Sequence, residues 1–139
     1  MKSFEYLEHT ADIKFRAYGQ NIEEMMNNAA LALFNAMTDT SVVQINKTWK
    51  VKLSAPDLEQ LAYYWLSELV FLFETELTIY SKFNVKVHHN QEWILLAQIG
   101  GERIDPKKHA FDNEVKAVTL HEFVVNKNDV WCIQVVLDV

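Results

Sequence analysis

The chain has 139 residues, half of them apolar and 23% charged, with only three Gly and two Pro. That is one domain's worth of sequence with enough apolar side chains to bury a core, which excludes a disordered, collagen-like or Gly/Ser-linker protein. Thirteen basic residues against nineteen acidic ones leave a formal charge of -6, and the lysines are scattered along the sequence, the densest pair being Lys107-Lys108. Direct, unaided nucleic-acid binding, which draws its affinity from neutralised phosphates, is disfavoured.

The polar segment Glu8-His9-Thr10-Ala11-Asp12 separates two predicted strands. In the second of them Ile13, Phe15 and Ala17 face one way while Lys14, Arg16 and Tyr18 face the other. From Asn21 to Met37 apolar residues recur at helical spacing, and Asn21 with Glu24 three residues on is an N-cap pair. Val42 to Leu53 supplies one more strand or two. A second helix is predicted from about Asp57 to Leu77, opened by Pro56 and Asp57. It is apolar almost all round, so a second covered face is expected. Two hairpins follow: one from Phe83 to Ile99 across Asn90-Gln91, the other joining Val115–Val125 to Val130–Leu137. The layout predicts a single α+β domain over residues 1–139, with both helices on one face of a mostly antiparallel sheet.

No apolar run approaches the roughly 20 residues a membrane-spanning helix needs. The first residues, with Lys2, Glu5 and Glu8, do not resemble a secretory leader, and Cys132 has no partner for an internal disulfide. A cytoplasmic protein is expected.

With glycines only at 19, 100 and 101, there is neither a phosphate-binding loop nor a dinucleotide fingerprint. G-x-S-x-G, H-E-x-x-H and paired zinc cysteines are absent as well. Cys132 alternates within an apolar strand and is expected to be a buried structural thiol. His88, His89, His109 and His121 could each serve as a ligand or acid/base, but hydrogen-bonded structure is the commoner role. Lys116, at the start of a strand, is by default a surface lysine.

Two places could carry chemistry. The first is the polar segment ending at Asp12, for which a tight turn bonded to neighbouring amides is the simpler account. The second is the chain end. Trp131, Ile133, Val135 and Leu137 keep strand parity up to Asp138, so the end is expected to be docked. If Val139 is the natural terminus and Asp12 lies beside it, three carboxylates converge: Asp12, Asp138 and the α-carboxylate of Val139. Such an all-oxygen, anionic donor set suits a hard cation, Ca²⁺ or Mg²⁺.

The stretch Tyr6-Leu7-Glu8-His9-Thr10-Ala11-Asp12-Ile13, followed by Gly19 and an Ala/Leu-rich helix, resembles the N-terminal signature of the archease family. Further blocks match in order: Asp57-Leu58-Glu59-x-Leu61, Gly101-Glu102 with Asp105 and His109, Glu114-Val115-Lys116-Ala117-Val118-Thr119-x-His121, and Asp138-Val139. Leu120 stands where the family usually carries an aromatic. The resemblance implies a non-catalytic activator of an RtcB-type tRNA-splicing ligase, an enzyme that joins RNA ends with GTP and a metal ion. Such an activator promotes guanylylation and multiple turnover of the ligase. It also implies a calcium site on Asp12, Asp138 and Val139, and a weaker ligase contact at Lys116. Two alternatives stay open: a chaperone or specificity modulator of a tRNA methyltransferase, and a metal-dependent phosphoester hydrolase. The chaperone reading gains if the apolar second helix is exposed.

Overall fold

The computed structural model describes residues 1–8 and 12–139. In chain order the elements are β1 (Phe4–Leu7), β2 (Ile13–Gly19), α1 (Ile22–Asn35), a 3-10 turn (Thr40–Val42) and β3 (Lys47–Ala55). Then come α2 (Leu58–Glu76), β4 (Thr78–His89), β5 (Trp93–Arg103), β6 (Ala117–Lys127) and β7 (Trp131–Asp138). Both helices start at the predicted caps. The Asn21 side chain accepts from the Glu24 amide at 2.8 Å, and Glu24 in turn accepts from the Gln20 amide at 3.1 Å. Asp57 accepts from the Gln60 amide at 2.8 Å. These bonds satisfy amide donors that the first turn of a helix leaves unpaired.

The α+β class, a single antiparallel domain, is observed. The strands divide into two sheets rather than one, ordered β1-β2-β7-β6 and β3-β5-β4. Each helix touches both: α1 lies against β1, β2, β7 and β4, and α2 against β6, β3, β4 and β5. Both helices therefore pack on one face of each sheet, between the two. This arrangement explains the composition of α2, which needs cover on two sides and buries Leu61, Ala62, Trp65, Leu66, Leu69, Val70, Leu72 and Phe73. At the centre, the Phe34 ring of α1 stacks on Phe83 at 5.9 Å and meets Tyr80 and Phe73 edge-on at 5.8 and 6.5 Å. Among the described residues no helix is long and apolar enough to cross a membrane.

Gly101 marks where β4 crowds β5. A Cβ built there would lie 1.8 Å from the Ile79 carbonyl oxygen and 2.7 Å from the Tyr80 Cα, beside the break in register between Tyr80 and Lys82. Backbone cannot give way as a flexible side chain can. Gly101→Ala is therefore expected to destabilise by about 1–3 kcal/mol. The measurement is a lower urea midpoint at unchanged slope; an unchanged midpoint would show that the two strands are not in such close contact.

Candidate functional site

Strands β2 and β7 run antiparallel with Ile13 opposite Leu137, Phe15 opposite Val135 and Ala17 opposite Ile133. These side chains face the helices, and the pairing fixes what lies at the strand ends. Asp12 and Asp138 flank the same Ile13–Leu137 pair, one just before β2 and the other at the end of β7. On the far side of β7, Ala117 pairs with Asp138, and the Lys116 amide donates to the Asp138 carbonyl at 2.8 Å. Val139 is half-buried and packs against the core. The chain end is thus held from both neighbouring strands, and the Asp138 side chain is exposed.

Asp12 is half-buried and lines a hollow of about 390 Å³ with Tyr6, Glu8, Lys14, Asn35 and Asn113. Asp138 and Val139 are not among its walls. His9, Thr10 and Ala11 of the polar segment lie outside the described residues. A larger hollow of about 520 Å³ shares Asn113; Phe73, Leu77, Ile104 and Phe111 form its apolar wall, with Glu74, Asp112 and Glu114 among its polar lining. Carboxylates therefore surround this end of the molecule.

The outward face of the four-stranded sheet is laced with polar pairs. Lys14 meets Glu122 at 3.4 Å, and Arg16 donates to Gln134 at 3.0 Å. Tyr18 donates to Glu5, which holds that carboxyl below its ordinary range, while burial together with Glu5 pushes the Tyr18 hydroxyl up to about 12. Cys132 lies on this outward face, half-buried, and is not in the core as its strand pattern predicts. Strand parity puts it opposite Tyr18, on the side away from Ile133. Burial raises its thiol, which disfavours a thiolate nucleophile.

The histidines separate clearly. His88, His89 and His121 are exposed; His89 stacks on Trp93 at 4.0 Å, and His121 lies 3.4 Å from Glu122. His109 is buried, and both of its ring nitrogens are used. The Asp105 amide donates to Nδ1 at 2.9 Å, so Nε2 carries the proton and faces Glu102 Oε2 at 3.1 Å. The same Glu102 oxygen accepts from the Gln44 amide at 2.8 Å and from Lys108 Nζ at 2.7 Å. Lys108 and the Gln44 amide hold the Glu102 carboxyl down at about 2. With no lone pair left to offer, His109 is a structural residue. Its partner Glu102 stands out in the sequence only through the Gly101-Glu102 block of the family resemblance.

The chain matches the archease protein family model over residues 4–139. It belongs to the archease family. It is 45% identical to protein archease of Methanosarcina mazei, with 99% of this chain and 97% of that one covered. Identity to protein archease of Sulfurisphaera tokodaii is 41%, with both chains fully covered. The fold agrees as well: the solution structure of Methanobacterium thermoautotrophicum protein 1598 superimposes with a TM-score of 0.89 at 40% identity, again over the full length of both. In this archease chain, no three His, Cys, Asp or Glu side chains among the described residues are grouped to hold a metal ion. A cation at the Asp12–Asp138 edge would therefore need a further donor. The donor set is hard oxygen throughout, which fits calcium or magnesium and does not fit zinc.

Proposed function

We propose that this chain activates an RtcB-type tRNA-splicing ligase, promoting its guanylylation and repeated turnover without being an enzyme itself. Family membership over residues 4–139 supports this reading. The observation that carries the working edge is the β2–β7 register, in which Asp12 and Asp138 flank one residue pair. On this reading the acidic end, with the two hollows that meet at Asn113, docks against the basic nucleotide pocket of the ligase. Asp12, Asp138 and Val139 would hold a calcium ion, which when bound supplies positive charge for phosphoryl oxygens. Lys116, tied through its amide to Asp138, is placed to reach the same partner.

The contribution asked of the domain is positioning and electrostatics. Phosphoryl transfer depends mainly on oriented charge, so an accessory chain can accelerate it with no nucleophile of its own. The second helix is covered by both sheets over most of its apolar surface, with Tyr64 and Phe71 left exposed, so the methyltransferase-chaperone reading gains little from it. Asp138→Ala and Asp12→Ala are expected to abolish stimulation of ligase guanylylation, followed as labelled guanylate transfer from GTP, with Tm changed little for the exposed Asp138. Normal stimulation by either variant would remove the carboxylate edge from the mechanism. Phosphoester hydrolysis by the isolated chain would favour the hydrolase alternative instead.

A further inference from the structure

We propose that the outer face of the three-stranded sheet binds single-stranded RNA. Lysines far apart in sequence meet there. Register places Lys50 beside Gln98 and Asn84, and Lys52 beside Leu96 and Lys86, while Lys82 stands opposite Gly100 one row away. Lys50 and Lys52 thus form one column on β3, and Lys82 and Lys86 another on β4, with β5 between them.

All four lysines are exposed, and none forms an ion pair or side-chain hydrogen bond with a described residue. The one acidic residue of the three strands, Glu102, has the same parity at the far end of β5, but it is buried and taken up by Lys108, His109 and the Gln44 amide, so no carboxylate is exposed beside the lysines. The face is therefore a segregated positive patch on a protein of net charge -6. Shallow hollows of about 460 and 160 Å³ run across it, both lined by Asn84 and Gln98.

The occupant follows from spacing and chemistry. Neighbouring outward residues on one strand are about 7 Å apart, and the two columns about 10 Å apart. An extended single strand of RNA can match the first distance with successive phosphates and lie between the columns. Asn84 and Gln98 stand where bases would fall, and each offers both a donor and an acceptor, as base edges require. A run of carboxylates presents acceptors alone and would use only the NH2 groups of Asn84 and Gln98, whereas base edges engage their oxygens as well. With no Phe, Tyr or Trp among these outward positions for stacking, affinity must come mainly from phosphate neutralisation, so it will be weak and sensitive to salt.

The inference does not depend on the ligase reading. The test titrates the full chain into a labelled oligouridylate of about 20 nucleotides across a series of salt concentrations. With three or four phosphates neutralised, log K should fall against log salt with a slope of about -2 to -3. The double variant Lys50→Glu/Lys86→Glu should bind at least tenfold more weakly at unchanged Tm, and Lys52→Glu/Lys82→Glu should repeat the loss. Asp138→Ala, which tests the other edge, should bind RNA normally. Absence of binding at about 50 mM salt, or binding indifferent to both double variants, overturns the proposal. So does displacement of the RNA by poly-glutamate at equal charge, which would assign the face to an acidic protein.

Discussion

Glu102→Ala is expected to lower stability by about 3 kcal/mol, because it removes the acceptor shared by Lys108, His109 and the Gln44 amide. The buried His109 Nε2–H would be left without a partner, and a lost partner costs more than a hydrogen bond contributes. For a domain of this size Tm should fall by roughly 10 °C. Acid provides a second readout. The folded carboxyl sits at about 2, below its ordinary 4.5, so its stabilisation is complete above pH 4.5 and declines as pH falls toward 2. The stability gap between parent and variant should therefore narrow between pH 4.5 and pH 3 in urea titrations. A gap that is constant over that range would mean that the carboxylate's charge contributes nothing. The effect should also reach the candidate site. From His109 the chain runs over the end of α1, where Thr38 donates to the Ala110 carbonyl at 2.9 Å, the Asp112 amide to Met37 at 2.9 Å, and Asn113 to Ala36 at 3.2 Å. Asn113 is a wall of the hollow that Asp12 lines.

Trp65→Ala should be costlier still, at about 4 kcal/mol with Tm lower by roughly 15 °C. This side chain of α2 is fully buried, donates from Nε1 to the Met26 carbonyl of α1 at 3.0 Å, and meets the Phe83 ring of β4 edge-on at 6.1 Å. One ring thus ties the two helices to the three-stranded sheet, and its removal leaves a cavity that three elements must close together. Trp65→Phe keeps most of the packing and loses the hydrogen bond, so about 1–2 kcal/mol is expected. Trp49, 43% exposed on β3, is the control: Trp49→Ala should change stability by no more than about 0.5 kcal/mol. Equal losses at positions 49 and 65 would contradict the described core.

Local signals were legible in the sequence. The caps at Asn21 and Asp57, the hairpin turns and the parity of β7 depend on residues within a few positions of one another, and all agree with the structure. The docking of β7 to its last residues could be suspected from its unbroken alternation to Leu137, but the register that sets Ile13 opposite Leu137 is not written in either strand. For the same reason the split into two sheets was hidden, since any apolar face will serve as a partner for another. Lys50, Lys52, Lys82 and Lys86 look scattered in sequence and come together only across β5. Cys132 was misplaced because both faces of β7 are largely apolar, Val136 being as buried as Val135. The buried Glu102 gives no local sign of its three donors, which arrive from Gln44, Lys108 and His109.

The strand order also bears on the timing of assembly. The three-stranded sheet draws all its strands from residues 47–103, with β4 and β5 adjacent in sequence, so it can form early from nearby contacts. The other sheet puts β2 directly against β7, so residues 13–19 have their proper neighbour only once residues 131–138 have been made. Until then the apolar side of β2 has no sheet to join, and closing that long loop is the slow step expected of the folding reaction. Asp12 and Asp138, which flank the junction of those two strands, are consequently brought together after the three-stranded sheet can have formed.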